Sequence, residues 1–473
     1  MQSRAVVKCR QRLLRRPFPA LGPLAAATKA YVVAPAGCGK TELIAAAVAT
    51  DAERRQLVLT HTHAGVGALR SRLLKYGVPK ARARVETIAG FALRIACAYP
   101  MTSGFSEQRP RDSAWADVYS AANRVLSTRV GRDILAASYG GVYVDEYQDC
   151  VADQHTLVLA LAEVLPTRIL GDPLQGIFGF KNQLLVSWDD VDANFQRLPD
   201  LGTPWRWKNT NPALGEWLLA IRPGLLADSR PDYRSGPVDV RGNTDPLQIL
   251  ACGQMIAEQS VVAIRKWPKD AHMVASRLGG NFTSMEEMES KDLLAHAASM
   301  HGCIGPRRAL AVITFAKLCV TQVGRHLSTA EARLKDGLLP TPTGGAKNQR
   351  AVEALRRVAE DEAPAAVSSA LSAIAELPES KTYRSELLRE MQNTMRLAAS
   401  KPEMAWGDVA WEVRDRARRD GRRLERRIVS RTLLIKGLEF DHVIVLNADE
   451  LDAKNLYVAL TRGSKTLTVL TAT

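Results

Sequence analysis

The apolar positions of this chain fall into short runs that alternate with stretches of helical spacing. Tyr31-Val32-Val33 ends a buried strand, and Glu42-Leu-Ile-Ala-Ala-Ala-Val-Ala49 behind it is compatible with a helix. Residues 56–60 make a second strand, followed by a helix with Leu69, Leu73 and Leu74 on its apolar face, and residues 85–87 make a third. This alternation predicts a doubly wound parallel sheet. From 95 to 138 the pattern is helical, and residues 142–144 and 167–170 then resume the sheet around a helix at 156–164. Farther on, residues 247–251 and 272–275 read as strands of a second sheet. Residues 284–426 read as mostly helical, and 427–432, 441–446 and 467–470 as returning strands. The expected fold is α/β, with two domains built on parallel sheets, each carrying a mainly helical insertion. The first comprises 1–94 and 139–200 around an insertion at 95–138; the second comprises 201–283 and 427–473 around an insertion at 284–426. No repeat of fixed period is present.

Two of the predicted strand ends carry chemistry. Ala34-Pro-Ala-Gly-Cys-Gly-Lys-Thr41 links the first strand to the first helix. Gly37 and Gly39 let backbone N–H groups close around phosphate oxygens at a helix N-terminus. In such a loop, residues 36–42 (Ala36, Gly37, Cys38, Gly39, Lys40, Thr41 and Glu42) form the cradle. Lys40 reaches the β and γ phosphates, and Thr41 offers its hydroxyl to Mg²⁺. Ala34 stands where the G-x-x-x-x-G-K-[ST] pattern has its first glycine. Downstream, Val144-Asp-Glu-Tyr-Gln-Asp149 follows the strand at 142–144. Asp145 there is placed to hold the metal's water shell, and Glu146 to polarise an attacking water. Together the two stretches predict nucleotide hydrolysis with ATP and Mg²⁺.

Composition narrows the partner. The chain has 473 residues, 46% hydrophobic content and a formal net charge of +14, which favours a polyanionic partner, nucleic acid first. No uncharged apolar run approaches the roughly 18 residues that span a bilayer, so no membrane association is expected. Seven cysteines are scattered without a C-x-x-C pair, which fits reduced thiols in the cytoplasm. Cys38 is expected to be a small filler within the loop. The N-terminus groups Arg4, Lys8, Arg10, Arg12, Arg15 and Arg16 with no acidic residue before Glu42, and reads as a basic helix of the mature protein. A second basic run holds eight arginines between Arg414 and Arg427. It suits either duplex phosphates, an acidic partner, or pairing with its own Asp415, Asp420 and Glu425.

Five motifs in chain order resemble the UvrD/Rep-like branch of superfamily 1 DNA helicases. They are the two stretches above, Gly171-Asp-Pro-Leu-Gln-Gly-Ile-Phe-Gly-Phe180, Lys436-Gly-Leu-Glu-Phe-Asp441 and Leu456-Tyr-Val-Ala-Leu-Thr-Arg462. The resemblance implies two RecA-like P-loop NTPase domains and a bacterial, single-stranded-DNA-stimulated ATPase moving 3′ to 5′. It further implies that Gln175 senses the γ-phosphate. Arg206, in Pro204-Trp-Arg-Trp207, and Arg462 would act as fingers from the second domain. Gly437 and Glu439 would bind the nucleotide, with Glu439 at the ribose. For the DNA track it implies Thr60, His61, His63, Thr87, Phe178 and Phe180, the aromatic faces stacking bases. His61 and His63 replace the family's Phe and Asn, and Leu433 stands where the family usually has His. Eleven residues follow Arg462, leaving no expected fused nuclease. The chain is also similar to helicase subunits of anti-phage systems such as Gabija. On that alternative it is an ATP-driven sensor of DNA with single-stranded ends that regulates a separate, OLD-family-type nuclease.

Overall fold

The computed structural model describes residues 19–50, 54–108, 110, 114–178, 184–287, 291–420 and 424–472. The N-terminal basic cluster, Phe180 and residues 421–423 of the arginine run lie outside them. The described chain falls into two compact units, one of residues within 1–237 with 452–465, the other of 238–451 with 466–472. The first unit thus runs past the expected boundary at 200 and takes in the segment that carries Arg462.

In the first unit, six strands stand in the order β3-β2-β4-β5-β1-β6. They are β1 (Lys29–Val33), β2 (Gln56–Thr60), β3 (Ala83–Thr87), β4 (Gly141–Val144), β5 (Thr167–Gly171) and the two-residue edge β6 (Gln196–Arg197). All of their pairings are parallel. Successive side chains of a strand point to opposite faces, and here both faces are covered. Ala30 and Val32 of β1 enter a core with Val58, Tyr143 and Leu170 beneath helix Lys40–Thr50. Tyr31 and Val33 enter the opposite core with Leu57, Val142 and Ile169. The helices of the 95–138 region pack into that second core through Val118, Ala122, Val125 and Leu135, so this insertion is continuous with the sheet's own interior. Parallel pairing brings every strand's C-terminal end to one edge, which is where ligands of such sheets bind. The loop after Val33, the acidic pair after Val144 and the turn after Gly171 therefore share that edge.

The second unit has its own six-stranded sheet, ordered β7-β12-β11-β8-β10-β9. These strands are β7 (Asp239–Gly242), β8 (Val261–Ile264), β9 (Thr283–Ser284), β10 (Arg427–Ser430), β11 (Phe440–Val445) and β12 (Gly463–Thr471), of which residues 463–465 are counted with the first unit. Parallel pairs join β10 to β8 and β9, β11 to β8, and β12 to β7. Helices from Lys291–Gly302 to Trp406–Asp420 form a separate bundle around Leu293, Phe315, Leu355, Leu371, Met391 and Val409.

Two expected strands are helices. Residues 247–251 belong to helix Asp245–Gly253 and residues 272–275 to helix Pro268–Arg277. Each has proline in its first turn after an extended residue, and each buries residues three and four apart: Gln248, Ala251 and Cys252, then Ala271, Val274 and Ala275. The sheet position they were expected to fill is held instead by β8, all four of whose residues are buried. Both ends of the arginine run are structural. Arg414 is buried against Glu390, and Arg427 donates to the carbonyls of Asn281, Ile256 and Glu258.

Candidate nucleotide site

The loop after β1 is shaped by what lies on it. Gly37 has φ +71°, and a Cβ there would sit 2.5 Å from the Trp207 ring and 2.9 Å from Arg206 Cβ. Only glycine satisfies both constraints. The Arg206 N–H donates to Gly37 O at 3.1 Å, so the Pro204–Trp207 motif is docked on the loop through its main chain. Cys38 is buried, and burial pushes its thiol up to about 12, so it is an inert filler at neutral pH.

Lys40 opens the following helix with its ammonium 2.8 Å from Glu146 and 3.7 Å from Asp145. Burial alone would lower its pKa, but the charges of Glu146 and Asp145 outweigh burial and raise it, so Lys40 stays cationic. Burial likewise pushes the Asp145 carboxyl up, against the pull of Lys40. The Thr41 hydroxyl donates to Asp145 Oδ2 at 3.4 Å. This pair of hard oxygen donors beside a phosphate cradle fits Mg²⁺, which takes one or two protein ligands and completes its shell with phosphate oxygens and water. Among the described residues no group of three or more His, Cys, Asp or Glu could hold a metal alone. Glu146 has φ +58°, a left-handed conformation that costs a non-glycine residue about 1–2 kcal/mol. Its carboxylate is partly exposed and accepts from Gln148 Nε2, whose amide is thereby oriented.

The turn after β5 contains a polar cluster. Asp172 is fully buried and accepts from Gln175 Nε2 at 2.9 Å and from both terminal nitrogens of Arg222, at 2.9 and 2.8 Å. Its own N–H donates to Gln148 Oε1 at 2.9 Å. The Tyr457 hydroxyl accepts from Arg222 at 2.5 Å and from the N–H of loop residue Ala36 at 3.2 Å. Arg462, 2% exposed, donates to Gln175 Oε1 at 3.5 Å. Arg206 donates to Thr461 O at 2.6 Å, and Trp207 Nε1 to Gly463 O at 2.6 Å. The expectation of arginines reaching in from the second domain thus meets a different arrangement. The segments of Arg206 and Arg462 are clipped to each other and packed within the loop's own unit.

Other expected residues are placed as follows. The Glu42 carboxylate accepts from Arg72 at 2.8 Å and from the Tyr76 hydroxyl at 3.1 Å, so its side chain anchors a neighbouring helix and only its main chain faces the cradle's turn. Thr60 and Thr87 are buried, and the Thr87 hydroxyl caps helix Ile88–Ala98 by accepting from Gly90 N. His61 lies half-buried with Nε2 3.5 Å from Cys150 Sγ; His63 is exposed and Phe178 half-buried. Gly437, with φ +81°, and Glu439 are exposed in the turn before β11 of the second unit. Asp172, Gln148 and Tyr457 stood inside motifs already noted but carried no assigned role. Arg222 lay outside every motif; its signal is a lone charge in the apolar run Trp217-Leu-Leu-Ala-Ile-Arg-Pro-Gly-Leu-Leu226, which has to find a buried partner.

No family model and no curated protein matches this chain. Solved structures similar to it include two helicases. One is the Pif1 helicase from Candida albicans, at 12% identity and TM-score 0.33, covering 57% of this chain and 54% of that one. The other is the arterivirus nonstructural protein 10 helicase in complex with DNA, at 16% identity and TM-score 0.29, covering 60% of this chain and 54% of that one. The chain therefore aligns with about half the length of each. Among the described residues no helix is long and apolar enough to cross a membrane.

Proposed function

We propose that this chain is an ATP hydrolase whose turnover is coupled to single-stranded DNA, a helicase-type translocase moving 3′ to 5′. One observation carries the reading: Lys40 lies 2.8 Å from Glu146 and Thr41 lies 3.4 Å from Asp145, beneath a glycine-bearing loop at the C-terminal edge of a parallel sheet. The N–H groups of residues 37 and 39–41 and the Lys40 ammonium bind the phosphate tail, while the N–H groups of Ala36 and Cys38 hold the loop through Tyr457 and Pro35 O. Thr41 and Asp145 would hold Mg²⁺, which would supply charge neutralisation for the phosphate tail. Glu146 orients a water and takes its proton as the water oxygen bonds the γ-phosphorus and the bond to the bridging oxygen breaks, giving ADP and phosphate. Gln175, Arg206 and Arg462 supply donors for the charge that develops on the transferring group.

The basic net charge and the ring faces of His61, His63 and Phe178 at the same sheet edge support a single-stranded polyanion as the track. The test is nucleotide binding and turnover by Glu146→Gln. ADP affinity stays near wild type while hydrolysis falls by roughly 10²–10⁴-fold, the share of a general base. Turnover within twofold of wild type would overturn the assignment. DNA-stimulated hydrolysis without movement along the strand would instead favour a sensor that regulates a separate nuclease.

A further inference from the structure

The pair formed by Arg222 and Asp172 has no evident reason to exist for stability alone. Its side chains are 10% and 0% exposed. Withdrawing both charges from water costs several kcal/mol per ion in general, and an apolar pair of similar volume is often as stable or more so. What an apolar pair would lack is direction. The guanidinium makes a two-pronged contact to Asp172, which fixes the carboxylate plane. The same Oδ2 then accepts from Gln175 Nε2. The other end of that amide faces Arg462, so the orientation of the Gln175 side chain follows from its two neighbours. The Arg222 Nη1 that serves Asp172 Oδ2 also donates to the Tyr457 hydroxyl, and the guanidinium lies over the Tyr457 ring at 4.9 Å. Tyr457 belongs to helix Ala453–Leu460, whose C-terminal end leads to Arg462, and its hydroxyl also receives the N–H of Ala36 in the phosphate loop.

We propose that Arg222 is a positioning residue for phosphoryl transfer: by gripping Asp172 and Tyr457 at once, it holds the Gln175 amide in register with the phosphate loop and the Arg462 segment. The inference rests on the ATP-hydrolase reading above. Arg222 itself touches neither nucleotide nor water in this account; it acts through Gln175. A misplacement of about 1 Å at such a group can cost roughly 100-fold in rate, so the loss of the fork has a kinetic signature distinct from unfolding.

The experiment compares the full-length wild type with Arg222→Lys, Gln175→Ala and the double variant. Arg222→Lys keeps the charge that Asp172 needs while removing the two-pronged contact. The Asp172→Asn/Arg222→Gln pair provides a neutral companion should the lysine variant fail to fold. With the melting temperature held, kcat falls about 10- to 100-fold in Arg222→Lys while KM for ATP changes little. The double variant is then no slower than Gln175→Ala alone, because both changes remove one function. Turnover by Arg222→Lys within twofold of wild type, or effects that multiply in the double variant, would overturn the proposal. Wild type without ATPase activity would refute the parent reading instead. The positioning role, which rests on that reading, falls with it.

Discussion

Substituting Gly37 by alanine puts a single methyl group where the phosphate loop meets Trp207. The left-handed φ of +71° costs an alanine about 1–2 kcal/mol. The new Cβ lies 2.5 Å from a Trp207 ring carbon and 2.9 Å from Arg206 Cβ, well inside contact distance. Trp207 has little freedom to yield, because it is 1% exposed and its Nε1 donates to Gly463 O at 2.6 Å. Overpacking of this kind adds about 1–3 kcal/mol. The first unit should therefore lose roughly 2–5 kcal/mol. At about 2–4 °C per kcal/mol for a body of this size, its melting temperature should fall by roughly 4 °C or more. If Trp207 moves instead, Arg206 moves with it and turnover drops. Tryptophan fluorescence during thermal unfolding and binding of a fluorescent ADP analogue read the two outcomes. Gly67→Ala is the matched control. It lies within helix His63–Lys75 with open space around its Cβ position, and it should gain up to about 1 kcal/mol. A Gly37→Ala variant that melts, binds and turns over as wild type does would refute the reasoning.

Two further expectations concern titratable groups that the site does not use. His272 accepts or donates at Nδ1 with Ser284 Oγ at 2.7 Å, and faces Arg384, Arg431, Asp292 and Glu287. Burial, aided by Arg384, lowers its pKa to about 4. Because the unfolded chain takes up this proton near pH 6.5, the folded second unit loses stability as pH falls from 6.5 toward 4, by up to about 1.4 kcal/mol per pH unit. Urea midpoints at pH 6.5 and 5 should therefore differ less in His272→Gln than in wild type, and an equal difference in both would refute the assignment. Cys38, whose thiol is held at about 12, should be alkylated at pH 8 far more slowly than the partly exposed Cys97 and Cys303. Mass spectrometry of a timed iodoacetamide reaction reads this, and equal rates would contradict it.

The parts of the site that were legible in the sequence are those whose chemistry is local. Residues 34–41 and 144–149 each follow a short apolar run, so the strand, the turn and the reactive side chains lie within one window. Long-range pairing was not legible. Arg222 meets Asp172 across 50 positions and Tyr457 across 235, and Glu42 is taken up by Tyr76 across 34. No spacing rule reaches that far. The two misread strands fail for a different reason. A run of four or five apolar residues does not distinguish a buried strand from a helix turn, and in both cases the deciding feature was a proline at the helix start. The extent of the first unit was hidden because the chain between 201 and 237 carries no composition break. Helix Pro212–Ala220 and the buried Arg222 that follows it bind that segment to the phosphate-loop body through contacts visible only after folding.

The central proposal is that this sheet-edge chemistry is switched by DNA. Phosphate release by the full-length protein, measured with and without single-stranded DNA across a salt series, tests it most directly. The account predicts turnover that rises on adding DNA, loses that rise as salt screens the phosphate contacts, and disappears in Glu146→Gln under every condition. Hydrolysis indifferent to DNA at the lowest salt would contradict it.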